Sequence, residues 1–214
     1  MQKNLSDFRK SYQKGELLES QIPINPMDFF DQWFNAAAIH ESVEEVNAMT
    51  LATFDPDGYP GSRVVLLKGY NVNGFVFYTN FESKKGQAIA HNSKVCLSFF
   101  WPALERQIII KGQAEKVTEE ESSTYFKSRP RGSQIGAHAS SQSSIVPSRE
   151  FLEKQLAHFE QMYEGVSVPK PPQWGGFLVR PVALEFWQGR ANRLHDRILF
   201  TKDRDQWKRV RLSP

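Results

Sequence analysis

The stretch Met49–Lys68, MTLATFDPDGYPGSRVVLLK, gives the first evidence of the fold. It holds a candidate strand over Met49–Phe54, the sequence DPDG at 55–58, and a second candidate strand over Ser62–Lys68. Pro, Asp and Gly are the residues that a tight turn between two strands requires. The stretch therefore predicts a β-hairpin.

Three more strands are predicted soon after this hairpin. Phe75–Thr79 follows the turn signal Asn73–Gly74, and Val95–Trp101 and Arg106–Val117 come next. Five strands in about seventy residues, mostly joined by short turns, favour an antiparallel barrel or sandwich. The chain also ends in candidate strands, over Gly176–Val182, Ala183–Gln188, Asn192–Phe200 and Trp207–Leu212.

Helices are predicted where a capping residue precedes a run of helical periodicity. These starts are Asn25 (helix to about Glu41), Ser83, Thr118 (helix to Lys127, with Glu121 completing a capping box) and Ser148. The fold class that follows is mainly β with flanking helices, α+β.

Two polar segments complete the chain. The N-terminal one predicts a short helix from Ser6 to about Lys14. The other, residues 128–148, is predicted to be a long loop, and long loops within a compact domain are usually functional or disordered.

Composition narrows the class of protein. The 214 residues are 40% hydrophobic and 24% charged, and the net charge of +3 is too small to indicate wholesale nucleic-acid binding. The single cysteine, Cys96, permits no intramolecular disulfide, and no apolar run approaches the length of a membrane span. A soluble cytoplasmic protein, with no membrane partner, is expected.

Common catalytic and nucleotide-binding motifs are absent from the sequence. It has no G-x-G-x-x-G after a strand, no G-x-x-x-x-G-K-[ST], and no G-x-S-x-G before a helix. With one cysteine and no H-E-x-x-H, no metal site is predicted.

The stretch Glu185–Ile198, EFWQGRANRLHDRI, carries basic side chains at alternate positions. On an extended strand, Arg193, His195 and Arg197 would share one face, with the outer pair about 13 Å apart. Neighbours on this face would lie roughly 6–7 Å apart, a distance at which like charges repel, and one phosphate is too small to contact both ends. The row predicts an elongated anionic ligand or two ligands side by side; the alternative is a solvated basic edge strand.

Further anion-binding candidates are dispersed along the chain. Lys84 and Lys85 follow Ser83 at a helix start, where free backbone N–H groups favour phosphate. Each candidate also has a plainer interpretation as a solvated surface group. Together they suggest two phosphate sites, and the remaining members are Arg63, Lys68, Tyr125, Arg129, Ser133, Gln142 and Ser143.

Seven ordered stretches closely resemble pyridoxine (pyridoxamine) 5′-phosphate oxidase, a family of FMN enzymes that make pyridoxal 5′-phosphate. The resemblance runs from about Phe8 to Pro214. The stretches are SRVVLLKGY, FYTNFESKKGQAI, FFWPALERQIIIKG, YFKSRPRGSQIGA, SQSS, WGGF and FWQGRANRLHDR.

The resemblance implies an antiparallel Greek-key split β-barrel that binds FMN and forms a homodimer, with two FMN at the subunit interface. Residues 1–214 would form one domain. Within it, 1–24 would be an N-terminal arm or lid, 25–164 the barrel strands with helices, and 165–214 the C-terminal strands that complete the site and the dimer.

The resemblance also assigns residues to ligands. Arg193 and His195 match residues that hold the substrate's pyridine and reacting carbon over the flavin, and they are the expected catalytic pair. The expected FMN contacts are Arg63, Val64, Lys68, Tyr78, Thr79, Lys84, Lys85, Gln107, Gln142, Ser143, Trp187 and Arg197. The expected substrate contacts are Arg9, Tyr12, Lys68, Tyr125, Arg129, Ser133, Arg193 and His195.

Two positions depart from the family pattern: Lys84, and Ser11, where an acidic residue can occur and no consequence is expected. Better-known members carry Arg where this chain has Lys84, and Lys keeps the charge but loses the bidentate fork. Weaker binding of the FMN phosphate is the expected consequence.

The implied activity is FMN-dependent oxidation of pyridoxine 5′-phosphate or pyridoxamine 5′-phosphate to pyridoxal 5′-phosphate, with dioxygen as acceptor and hydrogen peroxide as co-product. Two alternatives remain at this point. One is a split-barrel flavin protein with another substrate. The other is a barrel that binds single-stranded nucleic acid through basic and aromatic side chains.

Overall fold

The computed structural model describes residues 3–8, 10–204 and 206–214. Within them the chain forms five α-helices and nine β-strands. The helices are α1 (Pro26–Ala38), α2 (Lys84–His91), α3 (Glu119–Ser128), α4 (Arg131–Ala139) and α5 (Arg149–Met162). The strands are β1 (Ala48–Phe54), β2 (Pro60–Leu66), β3 (Gly69–Asn71), β4 (Gly74–Asn80), β5 (Lys94–Trp101), β6 (Arg106–Lys116), β7 (Trp174–Gln188), β8 (Asp196–Asp203) and β9 (Gln206–Leu212).

The strands belong to one sheet with the order β2-β1-β5-β6-β7-β4-β3, and β8 pairs with both β7 and β9. The pairings of β4 with β7 and of β7 with β8 are antiparallel. The prediction of a mainly β chain with flanking helices is confirmed.

The predicted helix starts are present and capped. The Asn25 side chain accepts a hydrogen bond of 2.9 Å from the Met27 N–H, and Pro26 occupies the first helical position. Thr118 and Glu121 form the full capping box, with the Glu121 N–H donating to Thr118 Oγ1 at 3.1 Å. These starts depend on neighbours within three residues, which is why they could be predicted.

The chain divides into two compact units. The first unit is Met1–Met49, Leu97–Lys111 and Pro181–Pro214; the second is Thr50–Cys96 and Gly112–Arg180. The strands β1, β5, β6 and β7 each contribute residues to both units.

The core of the first unit is aromatic. Phe29 and Trp33 of α1 lie with ring centroids 4.3 and 5.3 Å from that of Phe186 on β7. Phe30 contacts Phe99 in the same way at 5.4 Å. The periodic side of α1 is therefore core packing, worth about 1.5–3 kcal/mol for each fully buried side chain. The helix ends at Ala38, slightly before the predicted Glu41.

The core of the second unit includes a cluster formed by Phe126, Ile135, Val168 and Trp174. Tyr78, Tyr125 and Phe159 pack against this cluster while remaining partly exposed. Because Trp174 is at the start of β7, the cluster ties the sheet to α3 and α4.

The predicted N-terminal helix over residues 6–14 is wrong. Of the described residues in that range, only Ser6 and Asp7 form a turn. The backbone N–H groups of Gln13 and Lys14 donate to the Glu105 carboxylate instead of to helical carbonyls. A tertiary contact therefore replaces the local hydrogen bonds that a helix needs.

The loop predicted over residues 128–148 contains the helix α4. The Pro130 carbonyl accepts from the N–H groups of Ser133 and Gln134, and Ile135 is buried in the aromatic cluster. With Gly132 and Gly136 in so short a polar segment, intrinsic propensity gives little signal. Packing of one apolar side chain stabilises the helix.

The prediction that Arg193, His195 and Arg197 lie on one face of a strand is also wrong. Ala191–Arg193 form a short 3₁₀ turn, and β8 begins only at Asp196. Asn192 and Arg193 have φ values of 56° and 62°, which no extended strand allows. Of the three residues in the predicted row, only Arg197 lies on the strand.

The two strands predicted over 176–182 and 183–188 are one continuous strand of 15 residues, β7. Pro181 lies within it. Among the described residues, no helix is long and apolar enough to cross a membrane.

Candidate functional site

A cavity of about 480 Å³ lies in the second unit. Its walls come from the end of β2, from β4, from α2 to α4 and from the start of β7. Nine of the predicted site residues line it: Val64, Lys68, Tyr78, Thr79, Lys85, Tyr125, Arg129, Ser133 and Gln142. Residues separated by almost eighty positions in the sequence therefore share one cavity.

Arg129 is the most unusual group in this cavity. Its guanidinium carbon lies 4.7 Å from the Trp174 ring centroid and 5.4 Å from that of Phe126. Its Nη1 atom is buried and has no hydrogen-bond partner among the described residues. Burial lowers the pKa of Arg129 below its ordinary value, although a guanidinium remains charged at neutral pH. A buried unpaired donor is costly, so this one fits an anionic ligand.

An aromatic wall closes one side of the cavity. The rings of Tyr78 and Tyr125 stack with centroids 4.0 Å apart, and Tyr78 stacks on Trp174 at 5.4 Å with an interplanar angle of 9°. Burial, followed by the charges of Glu121 and Tyr125, raises the pKa of Tyr78. Its phenol therefore stays protonated at neutral pH.

Lys85 is a second buried cation, and among the described residues its charge is balanced only by neutral acceptors. It is only 9% exposed, and its Nζ contacts the neutral acceptors Ser83 Oγ at 3.3 Å and Gln142 Oε1 at 3.2 Å. Burial and then the charge of Arg63 lower the pKa of Lys85. Thr79 Oγ1 donates to the same Gln142 oxygen at 3.2 Å. A buried ammonium beside another cation fits a bound anion.

Arg63 itself does not line the cavity, but it is held in place by its own unit. Its Nη1 donates to Thr53 Oγ1 at 2.6 Å and to the carbonyls of Leu51 and Gly61. Its Nη2 lies 3.8 Å from the Asp55 carboxylate. Contacts within the second unit therefore hold the Arg63 guanidinium, and one of them is a weak ion pair.

Lys84 and Ser143 line a second cavity of the same unit, of about 430 Å³. Lys84 is exposed at the first position of α2, and the Ser83 side chain caps this helix by accepting from the Gly86 N–H. Ser143 has a φ of 75°. Gln142 lines both cavities, so the predicted anion-binding residues of the second unit are neighbours.

In the first unit, Tyr12, Trp187 and His195 form an aromatic group. The Trp187 and His195 rings lie 4.7 Å apart, and Tyr12 lies 5.6 Å from each. The Arg190 N–H donates to His195 Nδ1 at 3.0 Å. A neutral His195 therefore carries its proton on Nε2, which remains a donor.

The remaining predicted residues of the first unit have different surroundings. Arg197 lies opposite Trp187 in the β7–β8 register and donates to Glu185 Oε1 at 2.7 Å, a contact that raises the pKa of Arg197. Gln107 donates to Ser98. Arg193 is exposed on the 3₁₀ turn. Arg9 lies outside the described residues.

No role was predicted for Trp174, although it lies against Arg129 and lines the cavity. The only signal for it was its place in the stretch WGGF. Asn80 and Ser140 also line the cavity without having been predicted. Among the described residues, no group of three or more His, Cys, Asp or Glu side chains could hold a metal ion.

Comparison with known proteins defines the class of protein. Residues 36–163 match the family model described as pyridoxamine 5′-phosphate oxidase. Residues 174–214 match the pyridoxine 5′-phosphate oxidase C-terminal dimerisation region. The chain therefore belongs to the pyridoxamine 5′-phosphate oxidase family of oxidoreductases, as its resemblance indicated.

Individual relatives agree with this assignment. The chain is 57% identical over 214 residues to pyridoxine/pyridoxamine 5′-phosphate oxidase of Christiangramia forsetii, covering 100% of both chains. It is 54% identical over 211 residues to the protein of that name from Flavobacterium johnsoniae, covering 98% of this chain and 99% of the other. It is 50% identical to the Synechocystis sp. protein of that name, and the match covers 99% of this chain and 98% of the other.

Solved structures confirm the split-barrel fold class. PhzG from Burkholderia lata 383, in complex with tetrahydrophenazine-1-carboxylic acid, superposes with a TM-score of 0.87 at 29% identity, covering 94% of this chain and 100% of that one. A pyridoxamine 5′-phosphate oxidase-related, FMN binding protein from Nostoc punctiforme superposes with a TM-score of 0.70 at 14% identity. This match covers 90% of this chain and 100% of that one. The second comparison shows the fold alone.

Proposed function

We propose that this protein is an FMN-dependent oxidase that converts pyridoxine 5′-phosphate or pyridoxamine 5′-phosphate to pyridoxal 5′-phosphate. The observation that carries the proposal is the buried, unpaired Nη1 of Arg129. Lys68, Tyr125 and Ser133 line the same cavity, so two cations and two hydroxyl groups are available to one phosphate. The relatives that cover the whole chain bear the name of this activity.

The substrate's phosphate is assigned to Arg129, Lys68, Tyr125 and Ser133. Arg129 presents a planar fork held against Trp174, which suits a phosphate ester. Anchoring this group orients the rest of the substrate and lowers the entropic cost of reaching a reactive geometry.

The residues of the second unit also fit FMN. The buried Lys85 ammonium and the adjacent charge of Arg63 call for a compensating anion, which the FMN phosphate would supply. Lys84 and Ser143 would add further contacts to that phosphate. Val64, Lys68, Tyr78, Thr79 and Gln142 keep their proposed role as FMN contacts, and Gln107, Trp187 and Arg197 are proposed to contact its ring.

Bound FMN would supply acceptance of a hydride from the substrate's alcohol or amine carbon, and dioxygen would take the two electrons back to give hydrogen peroxide. The alcohol would also lose its hydroxyl proton to solvent, whereas the imine formed from the amine would add water and release ammonia. The protein's own groups bind and orient. Arg193 is proposed to orient the substrate. Arg197 would stabilise negative charge on the reduced ring.

His195 has a more defined role. Because Nδ1 already accepts from the Arg190 N–H, Nε2–H of the neutral ring is free to donate. This favours hydrogen bonding to the substrate oxygen or nitrogen over acceptance of a proton.

The match of residues 174–214 to a dimerisation region supports a homodimer. We also propose a cytoplasmic protein whose residues 1–214 form a single domain, with an arm at 1–24, a barrel at 25–164 and a C-terminal section at 165–214.

Anaerobic mixing tests the function directly. Protein purified with FMN should be yellow, should bleach on addition of pyridoxine 5′-phosphate, and should recover its colour in air with formation of hydrogen peroxide. Unphosphorylated pyridoxine is the control, and it should bleach the protein far more slowly. A yellow protein that does not bleach would favour a flavin protein with another substrate. A colourless protein with salt-dependent oligonucleotide affinity would favour the nucleic-acid binder.

A further inference from the structure

Glu105 is a buried carboxylate that the proposed chemistry does not use. It lies in the turn between β5 and β6, is 2% exposed, and has a φ of 55°. A left-handed backbone is uncommon for a residue that is not glycine, and a buried carboxylate is costly unless it is paired. Two unfavourable features at one residue call for compensation by its neighbours.

Three groups of the N-terminal segment supply this compensation. The N–H groups of Gln13 and Lys14 donate to Glu105 Oε2 at 2.8 and 3.0 Å, and Lys10 Nζ lies 3.4 Å from Oε1. Burial alone would raise the pKa of Glu105, but these contacts lower it below the ordinary 4.5. The carboxylate is therefore charged at neutral pH and holds residues 10–14.

The backbone of Glu105 contacts the other side of the same region. Its carbonyl accepts from the Gly189 N–H at 2.8 Å and from Gln188 Nε2 at 3.2 Å. A Cβ on Gly189 would lie 2.7 Å from Tyr12 Cγ, so the Tyr12 ring packs directly against this glycine. Glu105 thus binds the segment that carries Tyr12 and the strand end against which Tyr12 packs.

Tyr12 connects Glu105 to two other residues of the proposed site. The Tyr12 ring contacts Trp187 and His195, each at 5.6 Å. We infer that Glu105 is the positioning residue that holds Tyr12 against Trp187 and His195. The inference rests on the proposed function, in which Tyr12 and His195 contact the substrate.

The extent to which residues 10–14 are held in place affects the apparent affinity for the ligand. If residues 10–14 are held only part of the time, the apparent affinity falls by the fraction of molecules in which they are in place. Turnover at saturation is unaffected, because the bound ligand then holds the segment. Loss of Glu105 should therefore raise KM and leave kcat nearly unchanged.

Hydrogen exchange tests the anchor without any turnover. In Glu105→Ala, the amides of Gln13 and Lys14 should exchange roughly 10- to 100-fold faster, as expected for loss of hydrogen bonds to a charged group. Glu105→Gln keeps an acceptor and should lie between Glu105→Ala and the parent. Glu115→Gln is the matched control, because it removes a carboxylate from an exposed ion pair with Arg180 in the second unit. Unchanged exchange in Glu105→Ala would overturn the inference.

A second variant covers the case in which Glu105→Ala does not fold. Lys10→Met removes the ion pair with Glu105 and the cation–π contact of Lys10 Nζ with the Tyr12 ring, 5.9 Å from its centroid. Lys10 is largely exposed, so folding should be preserved. Its amides at 13 and 14 should exchange a few-fold faster than in the parent. Exchange equal to that of the parent would count against the anchor.

Kinetics with pyridoxine 5′-phosphate test the consequence. Glu105→Ala should raise KM roughly tenfold with kcat within about twofold of the parent. The same change made in a Tyr12→Ala background should have little further effect, because the residue it positions is gone. An equal rise in KM in both backgrounds would overturn the inference. A parent protein that does not oxidise this substrate would refute the proposed function, while the exchange result would still decide whether Glu105 anchors Tyr12.

Discussion

The guanidinium of Arg129 lies over the face of Trp174, 4.7 Å from the ring centroid, and one of its nitrogens has no partner among the described residues. The ring face contributes a favourable interaction with the cation without using any of its N–H donors. Arg129 is therefore held in a defined orientation while its Nη1 keeps no partner among the described residues. This combination supports the proposed anion site in the cavity of the second unit.

Arg129→Gln should raise KM for pyridoxine 5′-phosphate by about 10- to 100-fold, which corresponds to the roughly 1.5–3 kcal/mol of hydrogen bonds to a charged group. Retention of FMN should be nearly unchanged. Arg131→Gln is the control, because Arg131 is exposed and donates to the carbonyls of Val166 and Tyr163. Steady-state kinetics and the visible spectrum measure both quantities. Equal effects of the two substitutions would refute the role of Arg129.

Trp174→Leu should also weaken substrate binding, since the aliphatic side chain offers no π face to Arg129. A cation–π contribution of about 0.5–2 kcal/mol predicts a rise in KM of about 2- to 30-fold. Trp174→Phe keeps an aromatic face and should have a smaller effect. Thermal melts should accompany the kinetics, because Trp174 also belongs to a buried cluster. A Phe variant as impaired as the Leu variant, with a normal melt, would show that the ring face is not what matters.

Arg63→Ala and Arg193→Ala should separate cofactor binding from turnover. Arg63 lies close enough to Lys85 for its charge to lower the Lys85 pKa, and its loss should weaken FMN binding about 10- to 100-fold. Arg193 is exposed on a turn, and its replacement should reduce turnover more than FMN retention. The yellow colour of each purified variant measures how much FMN it retains. A colourless Arg193→Ala and a yellow Arg63→Ala would reverse the two assignments.

Lys84→Arg should tighten FMN binding. Lys84 is exposed at the start of α2, and an arginine there can donate two parallel hydrogen bonds to a phosphate. One additional hydrogen bond of about 0.5–1.5 kcal/mol corresponds to a two- to tenfold lower Kd. Fluorescence titration of the protein without FMN measures the change, with Lys94→Arg as a control. A weaker or unaltered affinity would show that Lys84 does not contact the phosphate.

Acidification should release the segment held by Glu105. The Glu105 pKa lies below 4.5 when the segment is bound, so the bound form takes up fewer protons than the released form. The contribution of this carboxylate is complete above pH 4.5 and is lost as the pH falls through its lowered pKa. Hydrogen exchange at the Gln13 and Lys14 amides, corrected for intrinsic rates, should therefore accelerate below pH 4.5. Glu19, whose pKa lies at about 2, titrates at still lower pH, and Glu105→Gln should abolish the dependence that belongs to Glu105.

Local features of the fold could be predicted because their causes lie within a few residues. The cap at Asn25 and the capping box at Thr118 depend on side chains that contact their own backbone neighbours, as does the turn at Asp55–Gly58, where the Asp57 carboxylate accepts from the Tyr59 N–H. The helix α4 could not be predicted, since one buried contact of Ile135 outweighs two glycines. The turn at Ala191–Arg193 was missed because left-handed φ values at Asn192 and Arg193 have no reliable signal in sequence.

Motifs and alternation are properties of consecutive residues, so reading the chain in order was enough to establish the family, the places of most strands along the chain and the residues that bear charge. Which of those charges lack compensation depends on the three-dimensional fold. Arg129 is one arginine among many until Trp174, Phe126 and the cavity wall exclude water from its Nη1. Likewise Glu105 becomes an anchor only when Gln13 and Lys14, about ninety residues away in the chain, present their N–H groups to it. Burial depends on the whole fold, and burial is what turns an ordinary ionisable side chain into a binding group.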